Sequence, residues 1–169
     1  MLKCKQIIII CTILGGVVVN KICTFAGHGK YYYSEDTYKK IISCLKQLIC
    51  DKNISEFWVG NYGSFDAMAA RAVINIKEEY PHIKLCLVIP YITSNINKFI
   101  IEYKNIYDEI IVADISPQTP IRAYIPLCNQ YMVDNSACLL CYIERKSGGA
   151  FKTYEYALKK GIQIINISN

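Results

Sequence analysis

The stretch Val59-Gly60-Asn61-Tyr62-Gly63-Ser64-Phe65-Asp66 joins a strand-like segment to the start of an amphipathic helix. The strand formers Glu56 to Val59 lead into it, and apolar residues at helical spacing follow it. Glycine lets the backbone approach a ligand closely, and the first-turn N–H groups of a helix are unpaired at the positive end of its dipole. The stretch therefore predicts an anion site between a strand and a helix.

A second loop of the same kind is Glu144-Arg145-Lys146-Ser147-Gly148-Gly149-Ala150. It follows the apolar run Cys138 to Ile143 and also opens an amphipathic helix. One such loop is weak evidence. Two of them in a short chain predict one phosphate-bearing ligand along one edge of a sheet.

Outward from these loops, strand-like and helix-like segments alternate along the chain. Strands are predicted at 21–25, 56–59, 83–89, 109–113, 138–143 and 162–167. Helices are predicted from Ser34 to about Cys50, from Ser64 to before Pro81, from Asn95 to Tyr103, from Pro126 to about Asn135, and from Ala150 to Lys160. This order predicts an α/β fold, a three-layer Rossmann-like domain with a mainly parallel sheet and helices on both faces.

Ligands of such sheets bind beyond the carboxyl ends of the strands, at the point where the strand order reverses. The segments predicted there are 26–33, 60–66, 114–120 and 144–150. We therefore expect their glycines to share one crevice with His28, Asp66, Asp114 and Ser147.

Composition narrows the class of protein. A chain of 169 residues is most simply one domain, and a net charge of +5, scattered along the chain, favours an anionic ligand without arguing for nucleic acid. Its nine cysteines lie mostly in apolar segments and form no zinc-binding pattern, so we predict no metal and a reduced, cytoplasmic protein.

Residues 1–18 form an apolar N-terminal extension that precedes the domain predicted at 19–169. The extension could be a signal segment, a short membrane anchor, or the product of a gene start placed too early; it is short for a span, which needs about 20 residues. We expect contact with a membrane only if residues 1–18 are present in the native protein.

Four motifs occur in order over almost the whole domain, from Lys21 to Ile167. They are Cys23-Thr-Phe-Ala-Gly-His28, Gly60 and Gly63 with Asp66, Asn129-Gln-Tyr-Met-Val-Asp134-Asn135, and Gly148-Gly149 before Tyr156-Ala157. Together they resemble the YpsA-like branch of the SLOG superfamily, a Rossmann-like group that also contains the DprA/Smf DNA-processing proteins and the LOG phosphoribohydrolases. The resemblance implies a nucleotide or nucleotide-derived ligand, held by a sensor or regulatory module.

The ligand-binding residues expected on these grounds are Gly27, His28, Gly60, Gly63, Asp66, Asn129, Asp134, Ser147, Gly148 and Gly149. The glycine amides would hold phosphate, while Asp66 would bind sugar hydroxyls or only cap its helix. His28 would line the mouth of the site or transfer a proton, and Asn129 could bond the second glycine loop. Asp134 could equally be a solvated helix-end residue. No cofactor is expected.

The chain departs from the family pattern at two positions. Gly29 and Cys128 stand where the resemblance leads us to expect arginines, which are natural phosphate partners. Lys30, Arg122, Arg145 or Lys146 could supply the missing charge.

Two alternative functions and two further features of the protein remain open. A LOG-like nucleoside monophosphate phosphoribohydrolase would use Glu155 as its catalytic carboxylate, since this residue follows the Gly-Gly loop on a helix; a solvated helix carboxylate is the simpler interpretation. A DprA-like protein would bind single-stranded DNA, which needs a basic stripe; the lysines of this sequence are scattered, so nucleic acid is not expected as a partner. Tyr31 to Tyr33 could stack a base, and self-association as a homo-oligomer is compatible with the helix faces.

Overall fold

A computed structural model describes residues 20–30, 32–92 and 101–168. Its elements, in chain order, are β1 (Ile22–Gly27), α1 (Glu35–Lys52), β2 (Glu56–Val59), α2 (Ser64–Ile76), β3 (Lys84–Ile89), β4 (Glu109–Val112), α3 (Ile121–Asp134), β5 (Cys138–Tyr142), α4 (Gly148–Lys160) and β6 (Gln163–Asn166). Residues 101–103 are also helical, and the earlier part of the helix predicted from Asn95 lies outside the described residues.

The six strands form one sheet in the order β4-β3-β2-β1-β5-β6, and every neighbouring pair is parallel. The strand order reverses between β1 and β5, because the chain first builds outward from β1 to β4 and then returns to the other side of β1. This confirms the predicted Rossmann-like α/β fold and places the switch point beside the end of β1.

Helices cover both faces of the sheet, as predicted. On one face, α1 and α2 bury Ile41 and Phe65 against Phe57 in the largest apolar cluster. On the other face, α3 packs Met132 near Trp58, and α4 joins a further cluster through Ala157. Phe57 and Trp58 face opposite sides because successive strand side chains alternate, so the central strands bury apolar side chains on both faces.

Two predicted helix ends are confirmed by their capping geometry. Ser34 precedes α1, and its hydroxyl accepts the backbone N–H of Thr37 at 3.1 Å. Gly161 ends α4 with a φ of 70°, the left-handed conformation that glycine adopts without a steric penalty.

Two predicted helix starts were wrong. The helix α3 begins at Ile121, with Pro120 as its N-cap, so Pro126 lies inside it rather than in its first turn. An interior proline lacks the N–H that would bond back to residue 122, a cost that this exposed side of α3 tolerates. The helix α4 begins at Gly148, two residues before the predicted Ala150, so the Gly-Gly pair forms its first turn.

The predicted extension at 1–18 lies outside the described residues. Within the described part of the chain, none of the helices combines the length and apolar character needed to cross a membrane.

Candidate functional site

A cleft of about 230 Å³ opens at the switch point, where β1, β2 and β5 end. The glycine loops that follow these strands meet there. The described residues that line it are Phe25, Ala26, Gly27, Gly29, Tyr62, Gly63, Asp66, Ile125, Asn129, Gly149, Ala150 and Thr153. We call this cavity the switch-point cleft. Three of the four segments expected to share a crevice contribute to it.

The fourth segment, 114–120, lies elsewhere. Asp114 lines a separate surface cavity with Ser116, Thr119 and the outer side of α3, including Asp134. This segment follows β4, an edge strand three positions away from β1, and none of its residues lines the switch-point cleft.

Close packing explains two glycines near the cleft, Gly27 at the end of β1 and Gly63 in the first loop. A Cβ on Gly27 would lie 2.2 Å from the ring of Phe65, and a Cβ on Gly63 would lie 2.9 Å from the Cα of Gly29. Real Cβ atoms do not approach other atoms so closely. Both glycines therefore let the end of β1 and the loop after it pack directly against the first loop and the start of α2.

The N-terminus of α2 already holds an internal anion. The Oδ2 atom of Asp66 accepts the backbone N–H of Tyr62 at 3.3 Å, and the carbonyl of Gly29 accepts the N–H of Ser64 at 3.1 Å. Burial raises the pKa of Asp66 to about 6, against the lowering effect of hydrogen bonds from the amides of Tyr62 and Gly63. The Asp66 carboxylate thus accepts the amides of the first loop, which we expected to hold phosphate, and it lines the cleft. Gly60 lies directly behind it, since a Cβ there would be 3.3 Å from Oδ2.

The second loop is uncrowded, and the helix that it opens has no side-chain cap among the described residues. Gly148 has a φ of 85°, and a Cβ on Gly149 would have no atom within 4 Å, so the turn is uncrowded. Ser147 is the N-cap of α4, but its side chain makes no capping hydrogen bond among the described residues. The amides of Gly148, Gly149 and Ala150 belong to the first turn of this 13-residue helix and have no partner within it.

A short hydrogen-bonded chain connects α3 to this loop. The Nδ2 atom of Asn129 donates to Oγ1 of Thr153 at 3.3 Å, and that hydroxyl donates to the carbonyl of Gly149 at 3.1 Å. Asn129 therefore supports the glycine loop through Thr153 while it also lines the cleft. Sequence reasoning missed Thr153, although its position one helical turn after Gly149 was a usable signal.

A smaller cavity of about 110 Å³ continues from the cleft between α3 and α4, and Lys152 lines it together with Gly149 and Asn129. Lys152 is exposed, as are Arg145 and Lys146 in the loop before α4. These cations lie around the open helix end. Cys128, by contrast, is fully buried beside Val88, so the position where an arginine was expected faces the core here.

His28 is 5% exposed, and its ring faces the backbone of the second loop. Its Nε2 atom accepts the N–H of Glu144 at 3.2 Å and the N–H of Arg145 at 3.3 Å. An imidazole that accepts at Nε2 is neutral, and burial followed by the charge of Arg145 lowers the pKa of His28, while Glu144 acts in the opposite direction. The side chain of His28 thus holds the start of the second loop in place through two hydrogen bonds from its backbone.

Two predicted site residues lie away from the cleft. Asp134 accepts hydrogen bonds from the hydroxyl of Tyr156 at 3.0 Å and pairs with Lys160 at 2.6 Å, at the far ends of α3 and α4. Glu155 is exposed and lies two residues after Thr153, which is about 200° around the helix. Its carboxylate therefore points away from the face of α4 that meets the cleft.

The three tyrosines that could stack a base differ in their positions. Tyr31 lies outside the described residues, and Tyr32 is fully exposed. Tyr33 turns inward: its ring contacts those of Phe65 and Tyr142, with centroids 5.2 and 5.1 Å away, and its hydroxyl donates to the carbonyl of His28 at 2.8 Å.

The described residues show no group of three or more His, Cys, Asp or Glu side chains that could hold a metal ion. The seven described cysteines are free thiols, and most of them are buried.

Two solved structures resemble this fold. DNA processing protein A (DprA) from Streptococcus pneumoniae is 17% identical, with a TM-score of 0.56 over 86% of this chain and 50% of its own. DprA from Helicobacter pylori, whose structure was described for its single-stranded DNA binding mode, is 14% identical, with a TM-score of 0.59 over 86% of this chain and 64% of its own. The chain thus spans half to about two thirds of their length, and identities this low establish the fold alone.

No curated protein matches the chain significantly. The model of the YpsA family, described as the YspA SLOG family, matches residues 29–163. That match covers most of the chain, including both glycine loops, and it confirms the resemblance drawn from the four motifs. The chain therefore belongs to the YpsA family of SLOG proteins.

Proposed function

We propose that the switch-point cleft binds a nucleotide or nucleotide-derived ligand as a sensor or regulatory site. The observation that carries this proposal is the meeting of three glycine-bearing strand ends around a cavity of about 230 Å³, with the open first turn of α4 at its edge. Such crevices in parallel sheets are where phosphorylated ligands bind.

The phosphate would sit on α4 rather than on α2. The amides of Gly148, Gly149 and Ala150 are in the open first turn, whereas the first loop directs its amides at Asp66. A second negative group beside that carboxylate would be repelled. Lys152, Arg145 and Lys146 add positive charge on the α4 side.

The sugar would lie between the two loops. Asp66 faces the cleft with a carboxylate that uses Oδ2 for the amide of Tyr62, and its other oxygen is suited to a ribose hydroxyl. Asn129 lines the opposite wall and bonds Thr153 through one of its two amide hydrogens, so it can also contact the ligand. His28 would act as a positioning residue that fixes the second loop.

Binding without cleavage fits this arrangement better than hydrolysis. The phosphoribohydrolase reading needs Glu155 in the site, and its carboxylate points away from the cleft. Among the described residues that line the cleft, Asp66 supplies the only carboxylate, and its hydrogen bonds tie it to the first loop.

Single-stranded DNA is the second candidate ligand, and the H. pylori relative is the observation that favours it, because that protein is described as binding such DNA. The expectation that nucleic acid is not a partner gains no support from that comparison. The two ligands differ in how their affinity depends on salt. DNA is bound through several of its phosphates, so its affinity for the protein falls steeply as the salt concentration rises. A nucleotide bound through one phosphate shows a much weaker dependence.

The test is a calorimetric titration of the protein with nucleoside mono- and diphosphates, ADP-ribose and an oligothymidylate, followed by analysis for free base. Gly149→Asp places a negative charge in the loop without a steric clash, and Gly149→Asn is its uncharged match. We expect Asp to weaken nucleotide binding about tenfold or more relative to Asn, since a charge-assisted hydrogen bond contributes roughly 1.5–3 kcal/mol. Equal affinities for the two variants would contradict the proposal.

A further inference from the structure

A second, apolar cavity lies farther along the same edge of the sheet as the switch-point cleft. It is an open groove of about 500 Å³ between the loop after β3, the end of β4 and the start of α3. Its walls include Tyr91, Ile92, Val112, Ile115, Ile121 and Tyr124, and none of its described lining residues is charged. We call it the aromatic groove.

The two tyrosines of the aromatic groove form an aromatic wall. Their ring centroids lie 4.9 Å apart, and the hydroxyl of Tyr124 donates to the carbonyl of Pro117 at 3.4 Å. Tyr91 remains 45% exposed, and Ile121 is 83% exposed at the other side. Large apolar side chains that stay this open beside a cleft mark a place where a ligand can bury them.

The aromatic groove lies on the side of the cleft where β2 and β3 end. These strands are neighbours in the sheet; Tyr62 follows β2 and lines the cleft, and Tyr91 follows β3 and lines the groove. On α3, the consecutive residues Tyr124 and Ile125 line the groove and the cleft respectively. Tyr62 is 46% exposed, so its ring is accessible on the side of the cleft toward the groove.

The two cavities differ in the chemistry of their walls. The cleft offers backbone amides, a carboxylate and an amide side chain, whereas the groove offers aromatic and aliphatic surface. A ligand that fills both is polar at one end and flat and uncharged at the other. A nucleotide has this form, and base–aromatic stacking accepts any base.

The spacing agrees with this assignment. Gly149 follows β5 and Tyr62 follows β2, and these strands are the two neighbours of β1. They are two strand spacings apart, about 10 Å. A mononucleotide extended along the sheet edge would bridge this gap from phosphate to base, and Tyr91, after β3, is one spacing farther on.

We propose that the base of the nucleotide stacks on Tyr62, with its far edge against Tyr91 and Tyr124. This rests on the proposed function, because it takes the phosphate on α4 and the sugar near Asp66 as its starting point. The aromatic groove would give affinity for the base as a flat ring, with little discrimination among the four bases.

Calorimetric titration with ribose 5-phosphate and with each of the four nucleoside monophosphates tests the inference, because the first probe lacks the base. In the unmodified protein, at least one nucleotide should bind fivefold or more tightly than ribose 5-phosphate. Tyr62→Ala should remove most of that preference, and Tyr91→Ala should reduce it. Tyr62→Phe is the matched control, since it keeps the ring, and should retain the preference within about twofold.

Each outcome decides between the two proposals. If no probe binds the folded protein, the proposed function fails and this inference fails with it. If ribose 5-phosphate binds as tightly as every nucleotide, or if Tyr62→Ala weakens ribose 5-phosphate and the nucleotides equally, the cleft is a ligand site but the base lies elsewhere.

Two other outcomes would give the groove a different occupant. A dimer that Tyr91→Ala abolishes would assign the groove to a second copy of the chain. Tight binding of an oligothymidylate with no preference among the mononucleotide probes would assign the groove to nucleic acid. Either result would overturn the inference.

Discussion

The Oδ2 atom of Asp66 lies 3.3 Å from the backbone nitrogen of Tyr62, at the N-terminus of the helix that the first glycine loop opens. A side chain of the protein thus accepts the amides at one of the two helix starts where the sequence predicts an anion. The other site, on α4, has no such internal anion among the described residues. Because of this difference, we place the phosphate of the proposed ligand on α4 rather than on α2.

Asp66→Asn should flatten the dependence of stability on pH. Burial raises the pKa of Asp66 from 3.8 to about 6, so the native state binds the proton more tightly than the unfolded state. The free energy of unfolding therefore decreases as the pH rises through this window, by on the order of 2 kcal/mol. Urea unfolding at pH 4 and pH 7 measures the effect. An unchanged difference between the two pH values in the variant would contradict it.

The titration of His28 should change the free energy of unfolding in the opposite direction, raising it as the pH rises. Its pKa lies below 6.5 because of burial and the charge of Arg145, so the unfolded state binds the proton more readily. The stability that the neutral ring provides is present above pH 6.5 and is lost as the pH falls through the lowered pKa.

His28→Ala removes the acceptor of two backbone amides and should cost about 1–3 kcal/mol at pH 7.5. It should also weaken nucleotide binding by loosening the second loop. The pH dependence of unfolding, measured in the Asp66→Asn background to remove the opposing titration, checks the assignment. A His28→Ala variant whose stability changes with pH as before would refute it.

Gly27→Ala and Gly149→Ala form a matched pair. The first places a Cβ 2.2 Å from the ring of Phe65, and the second places one in open space. We expect Gly27→Ala to destabilise the fold by about 1–3 kcal/mol or more through overpacking, and Gly149→Ala to change stability by less than about 0.5 kcal/mol. Thermal unfolding of both variants gives the comparison, and similar losses in the two would argue against the close packing of β1 on α2.

Glu155→Gln should leave both stability and nucleotide affinity within about 0.5 kcal/mol of the unmodified protein, because the carboxylate is exposed on the side of α4 away from the cleft. Affinity by calorimetry and free base by chromatography measure the two properties. Release of base that this substitution abolishes would instead establish the phosphoribohydrolase activity.

The sequence was sufficient to predict the architecture because the boundaries of its helices and strands carry clear residue patterns. The glycine loops, the Ser34 cap and the apolar runs place nearly every element, and the α/β alternation leaves few topologies. The start of α3 was missed because Pro126 resembles a first-turn proline, and the competing Pro120 was interpreted as part of a loop.

The site was predicted less completely, for a physical reason. Side-chain direction is not encoded in a motif: Asp66 turns back on its own loop, His28 turns beneath the second loop, and Glu155 turns outward. Tyr62 and Thr153 line one cleft, and Tyr91 lies along the same edge, only because the sheet order brings distant strand ends to that edge.

The most direct test of the central claim is an amide NMR titration of the protein with ribose 5-phosphate. If the phosphate binds the first turn of α4, the largest shifts will occur at the amides of Gly148, Gly149 and Ala150, while those of Tyr62 and Gly63, which face Asp66, will change less. Largest shifts at Gly63 and Ser64, or none at either loop, would contradict the account.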